Sequence, residues 1–205
     1  GVRSAIEHIG GSKVNPRPLG REGFFVQEDN VAAEFNIPPA RDVEQFVESI
    51  VWAKQQIAEH VAPKGMRLRI AASAMFPEYE LLDPKALNFG CEPDFNAWTK
   101  KMNPRPYAVE KQLRSCGGHI HVGLTDTSLK EKFELRDFVR AMDLYLGVPS
   151  IMMDDDLNRR ILYGKAGAHR PTSYGFEYRV LSNFWIKTPE LSKWAYEQTI
   201  RAYEW

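Results

Sequence analysis

The chain has no long apolar run, no charge excess and few cysteines. No stretch of its 205 residues approaches the roughly 20 apolar residues that cross a bilayer, and no signal-peptide pattern opens it. Lys plus Arg equals Asp plus Glu at 27 each, which argues against a nucleic-acid binder held by bulk positive charge. Cys91 and Cys116 form no CxxC pair and no disulfide framework. We therefore expect a cytoplasmic protein with reduced cysteines and no membrane contact.

Internal repeats and low-complexity tracts are also missing, and the composition is that of a globular protein. Hydrophobic residues make up 43% of the chain and charged residues 26%. Alternation with period two predicts strands near 24–37, 68–76, 116–124 and 174–182. A period of 3.6 predicts helices over 43–61, with Asp42 as the N-cap, over 129–146 and from 189 onward. Residues 77–107 are rich in proline and predict a long ordered loop with short helical turns. The irregular order of strands and helices predicts an α+β fold, mainly an antiparallel sheet with helices packed on one face, in one domain over 1–205.

The first polar motif lies in the strand predicted near 24–37. Because side chains two apart in a strand point the same way, Glu28, Asn30, Glu34 and Asn36 are expected to share one face. Carboxylate and amide oxygens are the ligands that a hard cation such as Mg²⁺ prefers. The alternative is the solvated face of an edge strand.

The second motif is a pair of histidines, His119 and His121, flanked by glycines. Their spacing in a strand puts both imidazoles on one face, where they fit a metal ligand and a phosphate or nucleotide contact. Two alternatives stay open, a hydrogen-bonded pair of sheet histidines and a zinc site, since His-x-His also occurs in zinc hydrolases.

The third motif and a basic loop complete the candidate site. Glu177 and Arg179 share a strand face, which fits either a salt bridge or a metal ligand beside a group that neutralises a transferring phosphoryl group. Before it, a glycine-containing loop fits phosphate, or is a solvated basic loop; its basic residues are Arg159, Arg160, Lys165, His169 and Arg170. The turn over 10–13, Gly-Gly-Ser-Lys, is not a Walker A sequence and is at most a second anion-binding turn.

In this order, the three motifs resemble the phage-type carboxylate–amine ligases, or amidoligases of type 2, of the glutamine synthetase and glutamate–cysteine ligase superfamily. The resemblance rests on Glu-Asp-Asn-Val-Ala-Ala-Glu-Phe-Asn-Ile-Pro-Pro from 28, Gly-Gly-His-Ile-His-Val-Gly from 117 and Gly-Phe-Glu-Tyr-Arg from 175, and it covers about residues 10–185. It implies a glutamine synthetase-like catalytic domain that joins a carboxylate to an amine at the expense of ATP, with Mg²⁺ on the sheet.

The resemblance also implies roles for individual residues. Glu28, Glu34, His119 and Glu177 match the metal ligands, with Glu177 counted as catalytic too. Arg179 matches the arginine that stabilises phosphoryl transfer. The nucleotide contacts that it implies are His121, Arg160, Lys165 and Arg170.

One departure from the family concerns the start of the chain. Family members open with a strand that carries an acidic motif, and this chain begins after that position, so we expect one N-terminal strand to be missing. The implied partners are a small or peptide carboxylate and an amine, and a homo-oligomer is possible. Two other hypotheses are a zinc-dependent amide hydrolase built on His119 and His121, and a catalytically silent virion protein with the same fold.

Overall fold

The computed structural model of the chain describes residues 1–87, 94–104, 106, 110–124 and 132–205. The chain divides into two compact units. The first comprises Gly1–Ile70, Ala74–Phe89 and Val109–Arg114, and the second comprises Ala71–Ser73, Gly90–Ala108 and Ser115–Trp205. Of the two cysteines, Cys116 forms no disulfide with another described residue, and Cys91 lies outside the described residues. The single domain over 1–205 stays a prediction.

The first unit contains an antiparallel sheet in the order β1-β2-β3 and one long helix. The elements are β1 (Arg17–Pro18), β2 (Phe25–Asp29), β3 (Ala32–Asn36) and α1 (Val43–Val61). The helix begins as predicted, because the Asp42 carboxylate accepts a hydrogen bond from the Gln45 backbone N–H at 2.7 Å and so satisfies an otherwise unpaired donor. It ends where Pro63 and Gly65, at φ 70°, turn the chain.

The core of this unit lies between α1 and one face of the hairpin. Val26 is fully buried against Ala53, Ile57 and Val61, which recur along α1 at helical spacing. Phe35 of β3 packs against the same cluster. Burying such aliphatic side chains contributes about 1.5–3 kcal/mol each, so the apolar face of the hairpin is fixed by this helix.

Two further strands are short. β4 (Ser73–Met75) pairs with β6 (Leu113–Ser115), so only the end of the strand predicted over 68–76 is formed. The predicted loop over 77–107 contains the short helical turns Glu78–Leu81 and Pro84–Leu87. It also contains a strand, β5 (Phe95–Asn96), so it is not one continuous loop over its described residues. Among the helices described, none combines the length and apolar character of a membrane span.

The second unit contains a four-stranded antiparallel sheet in the order β5-β8-β9-β7, with helices before and after its last two strands in the chain. Its further strands are β7 (Ile120–Gly123), β8 (Ala168–Pro171) and β9 (Gly175–Tyr178). Its helices are α2 (Lys132–Met142), α3 (Val148–Met153), α4 (Leu157–Leu162) and α5 (Pro189–Glu204), with a π-helical turn Asp143–Gly147 and a 3₁₀ turn Asn183–Ile186.

The two faces of this sheet differ in polarity. Phe176 and Tyr178 of β9 are fully buried, and the Phe138 ring of α2 meets the Phe176 ring edge-on at 5.3 Å between centroids. Glu177 and Arg179 alternate with them and therefore point to the opposite face. The α+β class with antiparallel pairing is confirmed. The single sheet is wrong: among the described residues the first motif pairs within β1-β2-β3, while the other two lie in the four-stranded sheet.

Candidate active site

Strand pairing places three of the predicted residues in a row across the four-stranded sheet. Glu177 of the central strand β9 lies directly opposite His121 of β7 on one side and Arg170 of β8 on the other. Directly paired residues in antiparallel strands point to the same face. The sequence reasoning found these residues by their spacing along the chain, whereas their proximity comes from register across strands.

The Glu177 carboxylate lies between two arginines. Its Oε1 accepts a hydrogen bond from Arg170 Nη2 and its Oε2 accepts one from Arg179 Nη1, both at 2.7 Å. The side chains of Glu177 and Arg179 are only 6% and 4% exposed, so this is a buried, charge-assisted contact. Burial raises the pKa of Glu177, but the hydrogen bond from Arg170 and the nearby positive charges outweigh it, and the net shift of the pKa is downward. The carboxylate is therefore ionised and fixes both guanidinium groups.

His119 lies beside this pair as a neutral imidazole. Its Nδ1 is 3.4 Å from Arg179 Nη1 and 4.0 Å from Glu177 Oε2. Burial holds the pKa of His119 well below its usual value of 6.5, and the charges of Arg179 and Arg159 lower it further. Since arginine only donates, Nδ1 is the acceptor here and the ring proton belongs on Nε2.

The glycines before His119 allow a close approach of chain segments. A methyl group on Gly118 would lie 2.5 Å from Trp185 Nε1 and 2.6 Å from the Ser182 carbonyl oxygen. A methyl group on Gly117 would lie 2.8 Å from His119 Nε2 itself. Both positions therefore exclude a side chain for steric reasons, which explains the Gly-Gly-His sequence without any demand on ligand binding.

His121 is paired with a tyrosine that the sequence reasoning missed. His121 Nδ1 is 2.5 Å from the Tyr174 hydroxyl, and the two rings stack at 6.1 Å between centroids. Partial burial lowers the pKa of His121 most, Glu177 raises it, and Arg170 and Arg179 lower it again, with a net downward shift. Tyr174 precedes the strand of the third motif, and its proximity to His121 could have been found only from the β7–β9 register.

Two more charged residues of the second unit join the cluster: Asp94, which was not predicted, and Arg159, which was predicted only as part of the basic loop. Asp94 Oδ2 is 3.7 Å from Arg179 Nε, and Asp94 Oδ1 accepts a hydrogen bond from Asn103 Nδ2 at 2.8 Å. Arg159, which is 3% exposed, donates to the Cys116 carbonyl at 2.9 Å and to the Val180 carbonyl at 3.0 Å. The Arg159 guanidinium therefore lies close enough to His119 for its charge to lower the pKa of that histidine.

Arg160 and Lys165 are placed elsewhere. Arg160 Nη2 donates to the Ser150 carbonyl at 2.5 Å and lies 3.8 Å from Asp154 Oδ2, and Lys165 is exposed. Within the described part of the chain, neither forms a hydrogen bond or ion pair with Glu177. The Asp156 side chain accepts a hydrogen bond from the Arg159 backbone N–H and so fixes where α4 begins. With this start of the helix Arg159 points inward, whereas the resemblance implied the nucleotide contact for Arg160. The nucleotide role of Arg160 and Lys165 stays a prediction.

The first motif folds as a hairpin and not as one strand. The chain reverses at Asn30 and Val31 between β2 and β3, and Asn30 has φ 57°, a left-handed conformation that asparagine tolerates better than most residues. The predicted continuous strand is therefore wrong, because its polar tetrad contains a two-residue turn.

This reversal places the two glutamates of the motif on opposite faces. The register pairs Gln27 with Glu34 and Glu28 with Ala33. Glu34 therefore points to the Gln27 side, and Glu28 points to the side of Val26, which faces α1. The predicted common face is wrong for the set Glu28, Asn30, Glu34 and Asn36.

Local contacts give these two carboxylates different environments. Glu28 Oε1 accepts a hydrogen bond from the Gly10 backbone N–H at 2.9 Å, where Gly10 and Gly11 have φ 75° and 81°. The predicted anion-binding turn thus already donates to a carboxylate of the protein. Glu34 Oε2 accepts a hydrogen bond from Gln27 Nε2 at 2.7 Å, on the polar face of the hairpin.

The cluster around Glu177 fits an anion and does not fit a divalent cation. Three guanidinium groups, from Arg159, Arg170 and Arg179, face two carboxylates, and both oxygens of Glu177 already accept hydrogen bonds. Arg179 Nε is buried and, among the described residues, has no acceptor within hydrogen-bond distance, since Asp94 Oδ2 is 3.7 Å away; this suits an anionic oxygen. Neither unit, over its described residues, gathers three His, Cys, Asp or Glu side chains that could hold a metal ion.

Comparison with known protein families places the chain. The family model described as "Glutamate-cysteine ligase family 2(GCS2)" matches residues 2–148, which are 147 of the 205 residues. The family model described as "Phage phiEco32-like COOH.NH2 ligase-type 2" matches residues 108–199. No curated protein and no solved structure matches the chain. The chain therefore belongs to glutamate–cysteine ligase family 2, and both family matches make it a carboxylate–amine ligase, an enzyme that forms carbon–nitrogen bonds.

Proposed function

We propose that the chain is an ATP-dependent carboxylate–amine ligase that activates its carboxylate as an acyl phosphate. The observation that carries this proposal is the pair of arginines fixed by Glu177 on the polar face of the sheet. Ligases need a group that neutralises charge on a phosphoryl group in transit, and a buried, preorganised guanidinium does so without reorganising during the reaction.

The chemistry has two steps. A carboxylate oxygen of the substrate attacks the γ-phosphorus of ATP, the new O–P bond forms, and the bond from phosphorus to the β-phosphate oxygen breaks to release ADP. The amine then attacks the acyl carbon, the C–N bond forms and phosphate leaves with the former carboxylate oxygen. The amine loses a proton in the second step, so a neutral base or water must accept it.

Each residue of the cluster has a proposed role. Arg179 and Arg170 bind the oxygens of the transferring phosphoryl group, and Glu177 holds the two guanidinium groups in place. His119 accepts from Arg179 in its neutral form and restricts the guanidinium further. His121 and Tyr174 lie at the exposed edge of the cluster, where they are proposed to contact the nucleotide phosphates.

The family also implies Mg²⁺, and we propose it as the usual companion of ATP without assigning it to the Glu177 cluster. The four metal ligands implied by the resemblance divide between the two units, with Glu28 and Glu34 in the first and His119 and Glu177 in the second. His119 and Glu177 alone offer one oxygen donor group surrounded by arginines, which disfavours a cation.

The same electrostatics weigh against the zinc hydrolase. His119 Nδ1 faces Arg179 and both histidines feel the charge of Arg170, so a zinc ion would sit among positive charges. A catalytically silent structural protein gives no reason for two arginines to be fixed on the polar face of the sheet, and it would not turn over ATP.

The test is an ADP-release assay of the wild-type chain with ATP and Mg²⁺. The family name makes glutamate and cysteine the first pair to try, followed by a panel of amino acids, peptides and simple amines. The expected result is ADP release that needs both a carboxylate and an amine. ADP release that ignores both substrates, or amide cleavage that needs zinc and not ATP, would contradict the proposal. Arg179→Lys is the matched variant: it keeps the charge and loses the forked geometry, so turnover should fall sharply.

A further inference from the structure

A second polar network lies on the opposite face of the same sheet. It is centred on Asp143, the first residue of the π-helical turn Asp143–Gly147, which is 4% exposed. Its Oδ1 accepts a hydrogen bond from the Tyr178 hydroxyl at 2.8 Å, and its Oδ2 accepts one from Trp98 Nε1 at 2.5 Å. The backbone N–H of Gly167 also donates to this carboxylate. Isolated π-helical turns within helices often mark functional sites.

The three donors belong to the three segments that carry the anion cluster. Tyr178 stands between Glu177 and Arg179 in β9, and Gly167 directly precedes β8, which carries Arg170. Trp98 belongs to the segment that carries Asp94. Hydrogen bonds within that segment hold it in one conformation. Asn96 Oδ1 accepts from the backbone N–H groups of Trp98 and Thr99. The Asn103 side chain accepts a hydrogen bond from Asn96 and donates one to Asp94.

Neighbouring contacts tighten the same arrangement. Arg140, one turn before Asp143, donates twice to the Ala97 carbonyl at 2.9 and 3.2 Å, and its guanidinium lies 5.3 Å from the centre of the Trp98 ring. A methyl group on Gly147 would lie 2.9 Å from the Tyr178 hydroxyl, so the turn fits closely against the strand.

We propose that Asp143 is a positioning residue for the anion cluster, tying together from the far face of the sheet the segments that carry Asp94, Arg170 and the Glu177–Arg179 pair. It touches no substrate and acts through Trp98, Gly167 and Tyr178. A buried carboxylate with three donors is held more rigidly than a neutral acceptor, because charge-assisted hydrogen bonds are stronger.

The inference rests on the proposed function for its activity readout, and a second readout is independent of catalysis. Four variants are compared with wild type: Asp143→Ala, Asp143→Asn, the double variant Asp143→Asn with Tyr178→Phe, and the control Ser192→Ala. Ser192 of α5 is 1% exposed, and its hydroxyl bonds to the Trp185 carbonyl at 3.0 Å and the Thr188 carbonyl at 3.2 Å. Its removal therefore also deletes a buried hydrogen bond, but not one to Asp94, Arg170, Glu177 or Arg179.

Asp143→Asn should keep activity and phosphate binding close to wild type, but only while Tyr178 keeps its hydroxyl. Trp98 Nε1 can only donate, so the asparagine oxygen must face Trp98 and its NH₂ must face Tyr178. The tyrosine hydroxyl can turn and accept from that NH₂, whereas phenylalanine cannot. A role limited to filling space would not distinguish Asp143→Asn alone from the double variant.

Two quantities are measured for each folded variant, kcat with KM for ATP in the ADP-release assay and the Kd of inorganic phosphate by calorimetry. For Asp143→Ala we expect kcat to fall about 100-fold with little change in KM, since small displacements far from the chemistry can cost that much. We expect phosphate binding to weaken about tenfold, with Asp143→Asn close to wild type and the double variant close to Asp143→Ala. Ser192→Ala should change only the unfolding midpoint.

The outcomes separate the two claims. Wild type that binds phosphate, loses that binding in Asp143→Ala and never ligates would contradict the proposed function and support the positioning role. Asp143→Ala that matches Ser192→Ala in kcat and in phosphate Kd would overturn the positioning role, whatever the activity of the wild type. Wild type that binds no phosphate at all would overturn it as well.

Discussion

The hairpin of the first unit and the four-stranded sheet of the second carry the same sequence pattern, charged side chains two residues apart, and fold it in opposite ways. In β7 and β9 the pattern lies in uninterrupted strands, so Glu177 and Arg179 point to one face and meet His121 and Arg170 across the sheet. In β2 and β3 the chain reverses within the pattern and sends Glu28 and Glu34 to opposite faces.

The difference shows which part of a strand pattern is informative. Spacing along the chain fixes the face only if no turn falls inside the pattern. Asn30 begins such a turn, and asparagine tolerates the left-handed conformation that it has there. The turn pair Asn30-Val31 is not one of the usual hairpin pairs such as Asn-Gly, so the sequence signal for the reversal was weak. Matched substitutions in the two regions test this difference.

The largest expected effect separates Glu177→Gln from Glu28→Gln. Glutamine at 177 removes the charge that holds two buried guanidinium groups, so we expect kcat to fall by at least about 100-fold and the free energy of unfolding to drop by about 3–5 kcal/mol. Glutamine at 28 keeps an acceptor for the Gly10 N–H on the core face of the hairpin. Its kcat should stay within about threefold of wild type, because no transition-state contact is lost. Kinetics and urea unfolding of both variants decide, and equal losses of kcat would show that the two regions are not different in kind.

Acid should destabilise the second unit through its histidines. The pKa values of His119, His121 and His169 are lowered in the folded state, chiefly by burial, so these rings bind fewer protons folded than unfolded. Their contribution to stability is complete above the unfolded value of 6.5 and is lost as the pH falls below it. Glu177, whose pKa is also lowered, adds a second loss as the pH falls below its ordinary value of 4.5. Urea unfolding from pH 8 to 5 should show the first loss, and His119→Gln should reduce its slope. A pH-independent stability over that range would contradict the burial of neutral imidazoles.

Two glycines of one motif should respond very differently to alanine. Gly118→Ala places a methyl group 2.5 Å from Trp185 Nε1 and should cost about 1–3 kcal/mol of unfolding free energy through overpacking. Gly123, at the end of β7, has open space around the position of a methyl group, so Gly123→Ala should stay within about 0.5 kcal/mol. The measurement is the urea midpoint of each variant. Equal shifts would mean that the close approach of Gly118 to Trp185 does not matter.

The smallest expected effect tests the hairpin turn. Asn30 has φ 57°, a conformation that costs a β-branched residue about 1–2 kcal/mol and glycine nothing. Asn30→Val should therefore lower the unfolding free energy, and Asn30→Gly should leave it nearly unchanged. Should valine be tolerated as well as glycine, the reversal at this residue, and with it the opposite faces of Glu28 and Glu34, would be in doubt.

The local elements were largely predictable from the sequence. The helix over Val43–Val61 and its Asp42 cap follow from apolar spacing and a capping side chain, and both are confirmed. The final helix from Pro189 is confirmed too, with Thr188 as its cap. Such features depend on neighbours within one or two turns of the chain, which a sequence displays directly.

The site was only partly predictable because its contacts join distant parts of the chain. Arg170 and Glu177 form a hydrogen bond through the β8–β9 register, and Asp94 approaches Arg179 from a segment that reads as a loop. The predicted nucleotide contacts included Arg160 and not Arg159, because a shift of one residue along a helix changes which side chain points inward. Register and helix phase are set by packing, and a single sequence does not display them.

If the arginine-flanked face of the second unit supports acyl phosphate formation, a carboxylate oxygen of the substrate must end in the released phosphate. A substrate carboxylate labelled with ¹⁸O at both oxygens is ligated with unlabelled ATP and water, and the released phosphate is examined by mass spectrometry. We expect one ¹⁸O atom in each phosphate released by wild type, and far less labelled phosphate per unit time from Arg179→Lys, in step with its lower rate of amide formation. Label in AMP, or phosphate that stays unlabelled while amide forms, would contradict it.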